Sequence, residues 1–177
     1  IMTQELLGVC KKIAKDLEDA LNFIHSHGYN HNDISPKNIL FDTQQGRAFL
    51  IDFGLASLHS EKITGFRGTP RYAHRDIFTK YTKKEWQAKP EYDRSSLAFS
   101  MAVLSNCGKS LWKSFQPFDM NGNKGEDNDA FTSWAKGRSK IAREHLEVIE
   151  LSNWLPWCND DTAVDVSSKT RKRKLRV

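Results

Sequence analysis

Two short stretches carry the residue types that chemistry needs. The first is His31-Asn32-Asp33-Ile34-Ser35-Pro36-Lys37-Asn38, in which a carboxylate and a carboxamide stand five positions apart. The second is Ile51-Asp52-Phe53-Gly54, which adds another carboxylate on what reads as a second loop. Phosphoryl transfer needs this set. One carboxylate orients a hydroxyl nucleophile, while an amide oxygen and a second carboxylate hold Mg²⁺ against nucleotide phosphates. The strand-like Arg47-Ala48-Phe49-Leu50-Ile51 between the two stretches makes their order more specific than either stretch alone.

The flanking sequence supplies elements that could position these loops. Leu6, Cys10, Ile13, Leu17, Leu21 and Ile24 recur at spacings of three and four, with Lys11, Lys12, Lys15, Asp16 and Glu18 between them. This predicts an amphipathic helix over residues 3–27, closed by His27-Gly28. Ile39-Leu40-Phe41 and Phe49-Leu50-Ile51, separated by the polar residues 42–46, predict a small hairpin. Residues 52–76 show no period and read as a long loop. Residues 93–107, apolar nearly all round, predict a buried helix. A polar loop over 116–129 and a further helix over 130–151 follow. Trp112, Trp134, Trp154 and Trp157 read as core or interface aromatics.

Composition narrows the class. The net charge of +5 comes from the end of the chain: Lys169, Arg171, Lys172, Arg173, Lys174 and Arg176 carry six positive charges, and the rest sums to −1. No basic patch for specific nucleic-acid binding is expected within the fold. Cys10, Cys107 and Cys158 are odd in number and form no CxxC pair, which disfavours disulfide and zinc scaffolding and points to a reducing, intracellular setting. Cys107 is expected to be inert inside the buried helix, and Cys158 to be exposed near the end. The longest uncharged run, Ser95 to Gly108, is 14 residues, too short for a membrane span. The opening residue is Ile1, as in a fragment.

Taken with Gly68-Thr69-Pro70-Arg71-Tyr72 and Tyr92-Asp93, these stretches resemble the C-terminal lobe of a eukaryotic protein kinase, over roughly Leu6 to Trp157. The resemblance implies a mainly α fold with a small β-hairpin at the catalytic and Mg²⁺ loops. Residues 1–158 would form the lobe and 159–177 a polar basic tail. It implies that Asp33 is the catalytic base, that Asn38 and Asp52 ligate Mg²⁺, and that Leu40 lies under the adenine of ATP. It also implies that Thr69 braces Asp33 and helps select Ser/Thr on a protein substrate, and that Asp93 accepts backbone hydrogen bonds from the catalytic loop. His31 would support that loop, and Ser57, Ser60 and Thr64 would sit where activation loops are phosphorylated.

The departures carry expectations too. Asn32 stands where the family usually has Arg, and a neutral amide cannot pair with a phosphorylated activation loop. Activity is therefore expected to be independent of such phosphorylation. Ser35 replaces the usual Lys, and Lys37 is expected to supply that charge. Asp-Ile-Ser also resembles atypical kinases and the kinase-like domains of fungal and Crinkler-type effectors. Asp76 stands where Ala-Pro-Glu would end, with an Arg further along the chain expected as its partner. No glycine-rich loop and no strand lysine precede the first helix in these 177 residues, so the activity is expected of a longer parent, with this chain inactive alone.

Two alternatives stay open: a pseudokinase or binding module, and a small-molecule kinase of the choline or aminoglycoside type, which lacks the Gly68–Tyr72 segment. His25, His27 and His31 read as structural rather than metal ligands, because no Cys or carboxylate stands at ligand spacing beside them. Asp119-Met120-Asn121-Gly122-Asn123 reads as a solvated turn rather than a calcium loop, because Lys124 and Ala130 replace the required Gly and Glu. The run Lys169–Arg176 reads as a nuclear localisation signal for an import receptor, or else as a plain solvated tail.

Overall fold

The computed structural model describes residues 2–81, 85–113 and 128–160. Helix α1 (Gln4–Ser26) begins where the Thr3 side chain accepts a hydrogen bond from the Leu6 N–H. It buries Leu7, Cys10, Ala14, Leu17 and Leu21, the stripe expected from their spacing. Gly28, at φ +80°, turns the chain out of the helix. Strand β1 (Tyr29–Asn30) leads into the Asp33 loop, and a short 3-10 turn (Pro36–Asn38) leads out of it.

The expected hairpin is β2 (Ile39–Asp42) paired antiparallel with β3 (Arg47–Leu50), with Leu40 opposite Phe49. The Asp42 carboxylate accepts the Gln44 and Gln45 N–H groups and sets the turn. The hairpin is docked to α1 through Asp16, whose carboxylate accepts the Ala48 N–H at 3.0 Å. That bond, with Lys12 and Arg47 beside it, holds the Asp16 carboxyl below its ordinary range.

The chain from 52 onward is not a plain loop. Strand β4 (Ser57–Leu58) pairs antiparallel with β1, and Ile63 bridges to Trp86. Helix α2 (Arg75–Tyr81) follows, a seven-residue helix that sequence periodicity did not reveal. Too short to show a full amphipathic repeat, it is held by burial of Ile77 and Phe78 with Ile63, Ala73, Trp86, Ala88 and Tyr92.

Helix α3 (Pro90–Ser105) is the buried helix expected, begun by a proline in its first turn. It lies between α1 and α4 (Asn128–Val148). A 3-10 segment (Ser152–Cys158) packs over α3 and α4 and inserts Trp154, which is fully buried and stacked on Trp157 at 4.7 Å. Trp112 is also buried, so these aromatics are core residues as expected. The architecture is mostly helical with two small antiparallel ladders among the described residues.

Four further expectations need correction. Cys107 lies past the end of α3, at φ +54° and exposed, because the helix stops at Ser105. Cys158 is fully buried, and burial pushes its thiol up to about 12. The polar stretch from Asn159 does not leave the fold at once, because Asp160 is buried. Ser57 is 1% exposed in β4 and hydrogen-bonded, which removes it as a surface phosphorylation site, whereas Ser60 and Thr64 are exposed. The Asp119–Asn123 turn and the Lys169–Arg176 run lie outside the described residues.

Candidate active site

The site is assembled on α3. The Asp93 carboxylate, 1% exposed, accepts the backbone N–H groups of His31 at 2.7 Å and Asn32 at 2.9 Å. It also contacts His25 Nε2 at 3.0 Å. A carboxylate that takes several hydrogen bonds in a dry setting is a rigid anchor, and here it fixes the start of the Asp33 loop. Asn32 adopts φ +66°, which asparagine tolerates better than most residues. Its Nδ2 donates to the Leu55 carbonyl and to Ser57 Oγ, each at 2.8 Å. The Asn in the family's Arg position is thus a neutral tie to the segment after Asp52.

His31 joins the two loops. The Asp33 N–H donates to His31 Nδ1 at 3.3 Å, so Nε2 carries the proton and donates to the Ile51 carbonyl at 3.1 Å. The Ile51 N–H in turn donates to the Asn38 carbonyl at 3.0 Å, and the His31 ring packs on Phe53 at 4.7 Å. His27 Nδ1 contacts the Phe23 carbonyl at 2.9 Å. The three histidines occupy structural contacts of this kind.

Asp33 is the focus. Thr69 Oγ1 donates to its Oδ1 at 2.5 Å, and Asn38 Nδ2 donates to its Oδ2 at 3.1 Å and to its backbone carbonyl at 2.8 Å. Lys37 Nζ lies 3.8 Å from Oδ2 and is otherwise in solvent. The structure therefore brings Asp33, Lys37, Asn38 and Thr69 together. Ser35 Oγ is buried without a hydrogen-bond partner among the described residues, so that position cannot reach solvent, and Lys37 places a cation beside Asp33. Asp52 sits at φ +61° on the neighbouring loop, exposed, with Oδ1 accepting the Gly54 N–H at 3.2 Å. Leu40 is apart from this cluster, half-exposed on the hairpin.

The donor set suits a hard cation. Asn38 commits its Nδ2 to Asp33, which leaves Oδ1 as its free acceptor, and Asp52 keeps one carboxylate oxygen beyond the Gly54 bond. Amide and carboxylate oxygens are the ligands that Mg²⁺ prefers.

Gly68 opens the Gly68–Tyr72 segment noted in the sequence, and the structure shows why a glycine stands there. It has φ +112°, and a Cβ there would stand 2.4 Å from the Asn32 carbonyl oxygen. This close approach lets Thr69 reach Asp33. The sequence signal was the Gly68-Thr69-Pro70-Arg71-Tyr72 segment, which does not by itself reveal the contact with Asn32.

A carboxylate braced by a threonine and an asparagine, beside a second acidic loop, is the constellation of a phosphoryl-transfer protein. The family model described as "Protein kinase domain" matches residues 3–150, and the chain belongs to that family. It is 33% identical over 113 residues to "Probable serine/threonine-protein kinase FPV212" of Fowlpox virus, covering 61% of this chain and 37% of the relative. It is 34% identical over 111 residues to "Probable casein kinase I homolog ECU03_0910" of Encephalitozoon cuniculi, covering 57% and 34%. It is 39% identical over 66 residues to "Serine/threonine-protein kinase pim-2" of Danio rerio, covering 37% and 21%. The chain spans about a third or less of the length of these curated relatives.

Proposed function

We propose that these residues form the C-terminal catalytic lobe of a serine/threonine protein kinase that uses ATP and Mg²⁺. The observation that carries this reading is Asp33, held on one oxygen by Thr69 and on the other by Asn38. Asp33 accepts the proton of the acceptor hydroxyl and orients it. Thr69 couples that carboxylate to the turn over which a peptide lies. Lys37 offsets negative charge on the transferred group. Asn38 and Asp52 would hold Mg²⁺, which when bound neutralises phosphate oxygens. Leu40 offers apolar surface for the adenine.

The choline or aminoglycoside reading is disfavoured because Gly68–Tyr72 is built into the site through Thr69. The binding-module reading draws on Ser35, whose buried hydroxyl stands where a charge is usual.

The test uses the longer parent protein, labelled ATP, Mg²⁺ and a protein acceptor. Labelled phosphoserine or phosphothreonine is expected, with Asp33→Ala reducing transfer at least about 10³-fold while the thermal melt is retained. Transfer that survives Asp33→Ala refutes the assignment. Transfer to choline or an aminoglycoside but to no protein reverses it.

A further inference from the structure

We propose that Arg138 and Asp160 form a buried clamp that positions the turn carrying Thr69, which makes Asp160 a positioning residue for the protein acceptor. This rests on the kinase reading of that turn. Arg138, on α4, is 1% exposed, with its guanidinium 3.9 Å from the Phe99 ring centroid and 4.4 Å from that of Trp134. Its Nε and Nη2 donate to Asp160 Oδ2 at 3.2 and 2.8 Å. Its Nη1 donates to the carbonyls of Ala73 and Arg71, at 2.9 and 3.2 Å.

A buried guanidinium requires a carboxylate beside it. The carboxylate bonded to Arg138 is Asp160, 22 residues along the chain. Asp160 is itself fastened on both backbone groups. Its N–H donates to Ser139 Oγ at 3.0 Å, and its carbonyl accepts from Arg75 Nη1. Trp112 Nε1 adds a bond to the Arg71 carbonyl at 3.1 Å.

The turn is therefore gripped from behind at residues 71, 73 and 75. At the front, the Tyr72 and Ala73 N–H groups donate to the Thr69 carbonyl at 3.0 and 3.1 Å, and Thr69 Oγ1 reaches Asp33. Between the clamp and the catalytic carboxylate lies one tight turn. A buried ion pair adds little net stability, because desolvation offsets its attraction. What this one provides is position: two backbone carbonyls held at fixed points on a rigid planar fork.

The test has two arms. In the 177-residue chain, Asp160→Asn keeps volume and an acceptor but removes the charge, and Ser139→Ala removes only the backbone anchor of Asp160. Amide hydrogen exchange is expected to quicken about tenfold at Tyr72 and Ala73 in Asp160→Asn, the size of one lost charge-assisted hydrogen bond. Ser139→Ala should quicken them less, and the Leu17 and Leu21 amides of α1 should not change. Uniform quickening, or none, overturns the clamp. In the parent, Asp160→Asn should raise KM for the protein acceptor about tenfold with kcat and the KM for ATP unchanged. An unchanged acceptor KM overturns the positioning role. A parent that transfers no phosphate removes the kinase reading and with it the acceptor role, and the exchange arm then decides the clamp alone.

Discussion

Gly68→Ala tests whether the Thr69 turn is held to the Asp33 loop by a backbone contact that only glycine permits. The added Cβ would meet the Asn32 carbonyl oxygen at 2.4 Å. Carbon and oxygen settle at about 3.3 Å, so the two backbones must separate by about 0.9 Å. The Asn32 side resists, because that residue already sits at φ +66° with its N–H bonded to Asp93. The Thr69 side must move, and a 2.5 Å bond to Asp33 lengthened by that amount leaves hydrogen-bonding range. Alanine at φ +112° adds about 1–3 kcal/mol of backbone strain. About 2 kcal/mol lowers Tm by about 4–8 °C in a domain of this size. Calorimetry on the 177-residue chain measures this, with amide exchange at Tyr72 as the local readout. On the proposed function, the same variant should lose protein phosphorylation in the full-length protein. A variant that melts within about 1 °C of the original, with Tyr72 still protected, would show that no such backbone contact holds the turn.

Asn32→Ala should destabilise by about 1–3 kcal/mol, because it strands the buried Ser57 hydroxyl and removes the bond to the Leu55 carbonyl. A double-mutant cycle with Ser57→Ala should show coupling, and phosphatase treatment of the parent should leave its activity unchanged, since this tie carries no phosphate. Burial holds the His74 imidazole below its ordinary range, against the opposing pull of Asp76, Asp160 and Glu91 and with Arg138 reinforcing it. Both folded and unfolded states keep it neutral above about pH 6.5, and below that the unfolded chain binds the proton more readily. Stability should therefore fall as pH drops below about 6.5, and denaturant melts of His74→Gln should show a flatter profile there. Thiol labelling of the native protein should modify Cys107 quickly and leave Cys10 and Cys158 until unfolding, because burial raises both of the latter. Fast modification of a second thiol would count against the burial.

Where reactive side chains are bound to a short motif, the sequence was enough. Asp33 and Asn38 are five residues apart, and one loop with a single 3-10 turn brings them into contact. The α1 stripe and the hairpin were legible for the same reason, because their periodicities are local and run long enough to repeat. The boundary of α3 was less so: a polar run after Ser105 does not announce whether Cys107 still lies on the helix.

Contacts between distant residues were decided by tertiary structure. Ser57 looks like any loop serine until β4 pairs with β1 and Asn32 reaches it. Arg138 is one cation among many on a polar helix, and nothing in its neighbours tells that Phe99, Trp134 and Asp160 will enclose it. The carboxylate that meets it is Asp160, 22 residues further along the chain. A charge is free to stay in water until packing removes the water, and only the packed chain determines which carboxylate must then answer it.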